Sequence, residues 1–531
     1  MHKFLVLSGA VSIALAGVQA HAAAPSDWPS YNRTLDSSRF SPLSQITPRN
    51  AASMKVVCSY DTGESTAFQS GLVQVDGALY ATTEHNTYSI DPDSCKLNWR
   101  MHEDFKDSYL GSQRGVAIEA GRVFRGASDG SVYAYDQKTG ARLWKTNIGD
   151  ADKGESVPAA PIAWNGLVFI GNAGGDNRGV KGRMLALDGA SGKVVWEFYL
   201  VPKSAGDKER GPQGEGAAPT ASWKNAKGVE ITGGATWTSY TLDVAAGELY
   251  VPGGNPAPDF AKHLRKGANL YAGSVIVLDA KTGAYKRHFS IVPEDFHDYD
   301  VSSAPALFTS KNGTALMTVT PKDGFMYTYE RATGKRLYRK PMTTQFNTAA
   351  RLSPKGTRFC PGTQGGSEWN GPAYDASHDA VISGQVDWCS TVMVDDDDTI
   401  KSVAATQSWS GAHGGFGKND PQSKWAGWLT SSDAVSGQQR WQFKTPNPIV
   451  GSVTPTAGGV VFTGDMGGNF YVIDSANGKV VLQKNVTGAV AGGVITYDTG
   501  AGQKVAISTG MQSKVWPTPK ATAQIQVMAV E

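Results

Sequence analysis

Short segments in which apolar and polar residues alternate recur along the chain, and each ends at an acidic residue. Examples are the segments GSVYAYD, GRMLALD, GSVIVLD and GNFYVID. Alternation with a period of two is typical of a β-strand, whose side chains point in turn to the two faces of a sheet. Helical periodicity is nearly absent. The pattern therefore predicts an all-β fold.

A second pattern follows these strands: an acid, a glycine four residues later, and an aromatic residue four positions after the glycine. The clearest copies are DQKTGARLW (Asp136 to Trp144), DGASGKVVW (Asp188 to Trp196) and DAVSGQQRW (Asp433 to Trp441), and weaker copies begin at Asp91, Asp279, Glu330 and Asp474. The acid ends one strand, the Thr/Ser-Gly pair turns the chain because glycine accepts a positive φ, and the aromatic residue begins the return strand. Each copy predicts a β-hairpin.

Regular hairpins at this spacing indicate a β-propeller. Neighbouring copies are mostly about 40 to 50 residues apart, the length of one four-stranded blade. The regular tryptophans then pack one blade on the next; they are Trp99, Trp144, Trp196 and Trp441. With the strand in MKVVCSYDTG closing the ring against the C-terminal strands, we count eight blades, and seven is the alternative. Two gaps are twice as long, and we interpret residues Trp369 to Val394 as a blade without the motif.

Composition and the N-terminus narrow the class of protein. Hydrophobic residues are 40% of the 531 and charged residues 18%, as in a globular protein, and the net charge of +2 is too small for an electrostatic nucleic-acid binder. Residues 1–22 combine Lys3, an apolar run and the small residues Ala20 and Ala22, which predicts a cleaved signal peptide. We expect residues 23–531 to form a single domain, without a membrane span, in the periplasm.

Four cysteines in an exported protein favour two disulfides. Three pairings are possible, and Cys58–Cys95 with Cys360–Cys389 is the simplest, because each pair is close in the sequence. The chain has no Cys-x-x-Cys-His motif, so the sequence predicts no covalently attached haem.

The segments between the repeats resemble the quinoprotein alcohol dehydrogenases. The similarity runs from WPSYNRTLDSSRFSPLSQI near the N-terminus to QKVAISTG near the C-terminus. These enzymes are eight-bladed propellers that bind pyrroloquinoline quinone (PQQ) on the central axis. The repeat alone also occurs in non-enzymatic propellers, so the expectation of PQQ rests on the longer motifs.

The resemblance implies residues for PQQ binding. GGATWTSYTLD is similar to the segment whose tryptophan lies under the quinone, which implies Trp237. SQRGVAI implies Arg114 and TPKDGFMYTYERATG implies Lys322 as donors to PQQ oxygens. RFCPGTQGGSEWNGPAYD resembles the segment that lines the site opposite the catalytic base, which implies Trp369 together with the neighbouring Glu368.

The resemblance also implies a cation and a base. VPGGNPAPDF implies Asn255 as a metal ligand, and IGNAGGDNRGVKG implies Asp176, where the family has glutamate. In PEDFHDYDVSS, Asp298 is in register with the catalytic base of the family, while Asp295 and His297 have supporting roles. Asp300 lies on the same side of an extended backbone as Asp298 and is a further ligand. An acid at this place often accompanies a lanthanide, and Ca²⁺ or a lanthanide ion remains open.

Three departures indicate a divergent branch, similar in part to polyvinyl-alcohol-dehydrogenase-like proteins but without their haem domain. Ser108 and Tyr109 stand where many members have adjacent cysteines, Gln69 stands where many have a glutamate at the cofactor, and Ile449 and Val450 stand where a tryptophan is usual.

Two functions follow. The first is a PQQ- and metal-dependent dehydrogenase that oxidises a small or polymeric alcohol to an aldehyde or ketone. Its electrons pass to a separate soluble cytochrome c, because the sequence predicts no haem of its own. The second is a non-catalytic propeller that acts as a binding or scaffold protein.

Overall fold

The computed structural model describes residues 24–204 and 218–531, so the predicted signal peptide lies outside the described residues. In this part of the chain, eight four-stranded antiparallel sheets follow one another as the blades of a propeller. Blade 1 consists of Val73–Val75, Ala78–Thr82, Asn86–Ile90 and Leu97–His102; blade 2 of Ala117–Glu119, Arg122–Gly126, Ser131–Asp136 and Arg142–Asn147; blade 3 of Ile162–Trp164, Leu167–Gly171, Arg183–Asp188 and Val194–Tyr199; blade 4 of Thr241–Asp243, Glu248–Pro252, Ser274–Asp279 and Tyr285–Ser290.

The second half of the ring repeats this order. Blade 5 consists of Ala306–Thr309, Ala315–Val319, Phe325–Glu330 and Arg336–Pro341; blade 6 of Pro372–Asp375, Ala380–Asp387, Ala426–Asp433 and Gln439–Thr445; blade 7 of Thr454–Pro455, Val460–Gly464, Asn469–Asp474 and Val480–Asn485; blade 8 of Val490–Asp498, Gln503–Thr509, Gln524–Ala529 and Lys55–Asp61. The strand in MKVVCSYDTG thus completes the last sheet, and the prediction of an all-β, eight-bladed propeller is confirmed.

Our interpretation of Trp369 to Val394 as a separate blade was wrong. This stretch supplies the first two strands of blade 6, and residues 388–425 are an insertion before the third strand. The insertion holds helix Asp397–Ser402, and two of its strands join Thr357–Phe359 in a small sheet; these strands are Ser390–Val392 and Lys418–Asn419. The acidic run that begins at Asp395 starts this helix, because Asp396 accepts backbone N–H groups at its N-terminus.

Short elements fill the connections between blades. Phe68–Gly71 pairs in parallel with Gln113–Gly115, and two antiparallel ribbons join Lys224–Asn225 to Arg265–Lys266 and Thr232–Gly233 to Pro256–Ala257. The remaining short helices are Ala51–Ser53, Ala151–Lys153, Ala218–Ala221, Lys262–Leu264 and Gln422–Lys424.

The repeat joins neighbouring blades by one recurring contact. The Trp196 indole N–H donates to the carbonyl of Ala280 in the next blade, at 3.0 Å. Its ring lies so close to Gly283 that a Cβ added there would be 2.6 Å from it, and Gly283 also has a φ of +70°. Trp99, Trp144 and Trp441 make the same pair of contacts with the following copy. Glycine is therefore required twice, for the turn and for the close approach of the indole. The predicted role of these tryptophans in blade packing is confirmed.

A disulfide replaces this contact where the ring closes. Cys95 stands at the glycine position of the first copy. In blade 8, Cys58 lies next to a β-bulge in the fourth strand. Trp144 has the equivalent position beside the β-bulge of the fourth strand in blade 2. The two cysteines are bonded, as are Cys360 and Cys389, so both predicted pairings are confirmed.

An N-terminal segment runs along the axis of the propeller. The first strands of neighbouring blades contact one another and line this axis, whereas the fourth strands carry many exposed residues. Backbone hydrogen bonds tie residues 28–41 to the first strands of blades 1, 4, 5, 6 and 7. Within this segment, Arg39 is buried and donates to Asn32. The axis is thus a packed core on which the neighbouring site is built.

Candidate active site

Every site residue predicted above lies on the same end of the propeller. In an antiparallel blade, the connection from the fourth strand to the next blade and the connection from the second strand to the third emerge at one end. The Asp-to-Trp hairpins join third and fourth strands and emerge at the other. Three of the predicted residues lie in connections between second and third strands: Asp176, Asn255 and Lys322. The others lie in connections between blades: Gln69, Arg114, Trp237, Asp298, Asp300 and Trp369.

Three carboxylates meet at this end. Asp176, Asp259 and Asp298 each offer an oxygen, and these oxygens lie within 4.8 Å of one another. Asp259 and Asp298 are buried, and Asp176 is partly buried. Carboxylate oxygens grouped at this spacing suit a hard cation that prefers oxygen ligands.

Asp300 is linked to this group of acids through hydrogen bonds with Lys322 and Asn255. The Lys322 ammonium donates to Oδ2 of Asp298 at 2.8 Å and lies 3.3 Å from Oδ2 of Asp300. The other Asp300 oxygen accepts the backbone N–H of Asn255 at 2.9 Å. A Cβ on Gly254 would lie 2.7 Å from that oxygen, so the glycine before Asn255 leaves the room that Asp300 occupies.

Asp295 shapes the turn that presents Asp298. Its carboxylate accepts the backbone N–H groups of His297 and Tyr299, at 3.1 and 3.0 Å. Within this turn Asp298 has a φ of +66°, a left-handed conformation that is uncommon for residues other than glycine. The His297 ring packs against Tyr299 and Phe359, which is a structural position. The turn fixes the Asp298 carboxylate beside the other acids.

Burial and like charge govern the acids of the site. Burial raises the pKa of Asp298 well above its usual range, and the neighbouring charges of Asp300 and Asp176 act in the same direction, while Lys322 opposes them. Burial and then the charge of Asp300 raise the pKa of Asp176 to about 6. Burial lowers the pKa of Lys322, but the carboxylates of Asp298 and Asp300 outweigh it and raise that pKa. The lysine is therefore a fixed positive charge that favours the ionised form of both acids.

An aromatic and cationic surface lies on the same end. The Arg114 guanidinium lies 4.7 Å from the centre of the Trp237 ring and 5.3 Å from that of Trp369, and it donates to the Trp237 carbonyl at 3.0 Å. The indole N–H of Trp369 donates to the Ala491 carbonyl at 2.7 Å, which fixes its ring. Burial raises the pKa of the adjacent Glu368 to about 7. Two flat rings beside a buried cation suit a flat anionic ligand.

In the part of the chain that the structure describes, several buried polar groups of this site have no hydrogen-bond partner. They are Oε1 of Gln69, both side-chain polar atoms of Gln113, and Nε of Arg114. Gln69 and Gln113 lie on the paired strands Phe68–Gly71 and Gln113–Gly115. Buried polar groups are normally paired, so this group fits a polar ligand that is bound there. Within the described residues, no hydrogen bond or ring contact joins Gln69 to Arg114 or Trp237.

Two residues of the site were missed by the sequence reasoning. Gln113 directly precedes Arg114, and only its lack of hydrogen bonds distinguishes it. Asp259 lies four residues after Asn255, in the quoted segment VPGGNPAPDF. An acid between apolar residues in that segment was a usable signal, because a charge is costly to bury without a partner.

Fold and site together define a propeller with a buried acidic centre at one end of its axis. Residues 28–345 match the family model for the glucose/ethanol/alcohol dehydrogenase β-propeller domain, which covers more than half of the chain. The protein belongs to this family of PQQ-dependent alcohol dehydrogenases. Residues 426–529 also match the model for the outer membrane protein assembly factor BamB.

Individual relatives agree with this membership. The chain is 29% identical to quinohemoprotein alcohol dehydrogenase ADH-IIG of Pseudomonas putida, over 92% of this chain and 72% of that protein. It is 25% identical to the lanthanide-dependent methanol dehydrogenase of Methylacidiphilum fumariolicum, over 89% and 82%. Among solved structures, a europium-containing methanol dehydrogenase superposes with a TM-score of 0.84 at 23% identity, over 95% of this chain and 98% of that chain, which shows the shared fold.

None of the helices within residues 24–204 and 218–531 combines the length and the apolar character that crossing a bilayer requires.

Proposed function

We propose that this protein is a periplasmic, PQQ- and metal-dependent dehydrogenase that oxidises an alcohol to an aldehyde or ketone. The observation that carries the proposal is the Asp298 carboxylate, which is buried among other acids and held at 2.8 Å by Lys322. Family membership supports the reaction class. The quinohemoprotein and methanol dehydrogenases among the relatives support an alcohol as substrate, either a small molecule or a polymer.

The residues of the site fit PQQ and a hard cation. Trp237, Trp369, Arg114 and Gln69 would hold the flat, anionic cofactor, since the rings and the guanidinium suit its faces and oxygens and the unpaired Oε1 of Gln69 can accept a hydrogen bond from it. Asp176, Asn255, Asp298 and Asp300 would bind Ca²⁺ or a lanthanide ion, because all of them offer oxygen ligands. Bound PQQ supplies a quinone that accepts a hydride.

The protein itself supplies the base and its orientation. The Asp298 carboxylate takes the proton of the substrate hydroxyl. A carboxyl whose pKa burial has raised is a stronger base once it is ionised, and the Lys322 ammonium favours its ionised form. Asp295 holds the turn, and the burial of the surrounding acids keeps bulk water from the reacting group.

We also propose that the electrons leave to a separate soluble cytochrome c. The chain has no Cys-x-x-Cys-His motif of its own for a covalently attached haem. Export to the periplasm after removal of residues 1–22, with residues 23–531 as one domain, is supported by the two disulfides. Sequencing the N-terminus of the protein from a periplasmic fraction tests the cleavage site.

Reconstitution tests the activity. The purified protein is stripped of metal, loaded with PQQ and either Ca²⁺ or La³⁺, and assayed with a panel of alcohols and an artificial electron acceptor. We expect a bound-quinone spectrum and turnover with at least one cation. The Asp298→Asn variant should lose turnover, and Asp397→Asn, an exposed acid in the insertion, serves as the control. Absence of both the quinone spectrum and turnover with either cation contradicts the proposal.

The match to the BamB model favours the second candidate, a propeller that binds without catalysing. That match spans residues 426–529, whereas all the proposed site residues precede residue 426. The similarity thus concerns two copies of the repeat, which begin at Asp433 and Asp474, and not the acidic centre. Stoichiometric binding of PQQ with no turnover of any alcohol supports this candidate over the first.

A further inference from the structure

Asp259 is a buried acid that has no partner. Its exposed fraction is 0%, and neither carboxylate oxygen has a hydrogen bond within the described residues. Arg265 is close to Asp259, but its guanidinium donates to Asn269 and to backbone carbonyls instead. An ionised carboxylate cannot be buried in this way without a large cost, so Asp259 either carries a proton or has a cation as a partner.

The position of Asp259 identifies that partner. One of its oxygens lies within 4.8 Å of oxygens of Asp176 and Asp298. A calcium-like cation binds oxygen at about 2.3–2.6 Å, so two of its ligand atoms can lie up to about 5 Å apart. All three carboxylates can therefore reach one ion.

The backbone around Asp259 is held in place on both sides. Nε of Arg265 donates to the Pro258 carbonyl at 2.9 Å, and Nη2 donates to the carbonyls of Asp259 and Asp295 at 2.6 and 2.7 Å. The same guanidinium thus ties the loop of Asp259 to the turn that carries Asp298. Because both segments are fixed to one buried side chain, the two acids keep their spacing.

We propose that Asp259 is a further ligand of the cation, which it shares with Asp176, Asp298 and Asp300, and that this additional carboxylate makes the site prefer trivalent over divalent ions. The inference rests on the cation of the proposed function. The four carboxylates and the Lys322 ammonium leave three negative charges unmatched, since the nearby Arg265 guanidinium is balanced by the Asp295 carboxylate. A trivalent ion of suitable size neutralises them, whereas Ca²⁺ leaves one in a buried site, which is unfavourable.

The test measures cation binding on the full chain. The metal-free protein is titrated with Eu³⁺ and, separately, with Ca²⁺, both with and without PQQ. Europium luminescence lifetimes in H₂O and D₂O count the water molecules on the ion. The variants are Asp259→Asn, which keeps the shape but removes the charge, and Asp375→Asn as the matched control, because Asp375 is a buried acid at the opposite end of the propeller whose carboxylate accepts the backbone N–H of Ser377.

We expect Asp259→Asn to weaken Eu³⁺ binding at least about tenfold, since even residues that only support a ligand cost 10- to 100-fold. It should weaken Ca²⁺ binding less and leave at least one more water on Eu³⁺. Asp375→Asn should leave the hydration number unchanged. Unchanged Eu³⁺ affinity and hydration in Asp259→Asn would overturn the inference, because Asp259 would then be a protonated carboxyl and not a ligand.

A second measurement does not depend on the folding of any variant. In a crystal structure of the wild-type protein loaded with Eu³⁺, anomalous scattering locates the ion, and an Asp259 oxygen should lie within about 2.6 Å of it. An ion bound by the other acids, with Asp259 beyond contact, overturns the inference and leaves the proposed function intact. Conversely, Eu³⁺ binding that depends on Asp259 in a protein without alcohol oxidation upholds the inference and rejects the function.

Discussion

Aspartates at the two ends of the propeller have opposite electrostatic environments. We call the end with the Asp-to-Trp hairpins the hairpin end and the end with the acidic centre the site end. At the hairpin end, Asp136 and Asp188 each accept a backbone N–H and a hydroxyl from the turn, and these hydrogen bonds lower the pKa of both acids. At the site end, burial and neighbouring acids raise the pKa of Asp176 and Asp298. The first arrangement stabilises the charged form within the fold, and the second destabilises it until a cation or proton is bound.

The acids at the hairpin end therefore stabilise the fold, whereas the acids at the site end are the candidates for binding and catalysis. An acid at the hairpin end closes a local turn, and its partners lie within three residues of it. The acids at the site end come from three different connections, and the fold brings them together against their mutual repulsion. Stability is lost where such groups are concentrated, and this is a common feature of functional sites.

The largest expected effect is on catalysis and is tested by replacing one aspartate at each end with asparagine. Asp298→Asn removes the proposed base, so we expect kcat to fall about 10²- to 10⁴-fold in the PQQ- and metal-loaded protein. Asp136→Asn, the matched change at the hairpin end, should leave kcat as it is. Steady-state kinetics of both variants check this, and a comparable loss in Asp136→Asn would remove the distinction between the ends.

The reverse experiment targets a tryptophan at the hairpin end. Trp196 is buried against Gly283 and donates to the Ala280 carbonyl, so Trp196→Ala should lower the free energy of unfolding by about 3–5 kcal/mol. Trp196→Phe keeps a ring but loses the N–H donor, and we expect a smaller loss of about 1 kcal/mol. Denaturant unfolding measures both. The affinity for Eu³⁺ should not change in either variant, and a change would mean that the two ends are coupled.

Glu368 gives the site end a dependence on pH. Burial raises its pKa to about 7, from a usual value of 4.5, so the folded protein binds a proton that the unfolded chain has released. Stability from this group is therefore present below pH 4.5 and is lost as the pH rises through 7, by about 3 kcal/mol in all. Glu368→Gln should flatten the pH dependence of unfolding between about pH 4.5 and 7. An unchanged slope would contradict the raised pKa.

The contrast between the ends also explains how much the sequence could predict. The repeat was readable because its acid, glycine and tryptophan are close in the chain and are constrained by one turn and one contact. The role of Asp259 was not readable, because it depends on Asp176, which is 83 positions earlier in the sequence. Only the ring of blades brings those two connections together. The insertion at 388–425 was misread for a related reason, since an interrupted blade has the spacing of two blades.

The smallest expected effect concerns the disulfide where the ring of blades closes. Cys58 and Cys95 are bonded at the register where Trp99, Trp144, Trp196 and Trp441 meet the glycine of the following copy. Replacing both by serine should cost about 2–4 kcal/mol, because the unfolded chain loses a cross-link and the closure loses its contact. Cys58→Trp combined with Cys95→Gly restores the contact that Trp144 makes with Gly192, and the positive φ of Cys95 already suits glycine. We therefore expect this pair to recover at least about 1 kcal/mol of the loss, as measured by thermal unfolding under the same conditions. If the Trp–Gly variant is no more stable than the double serine variant, a packed tryptophan cannot replace the disulfide. The closure of the ring then depends on the covalent bond itself.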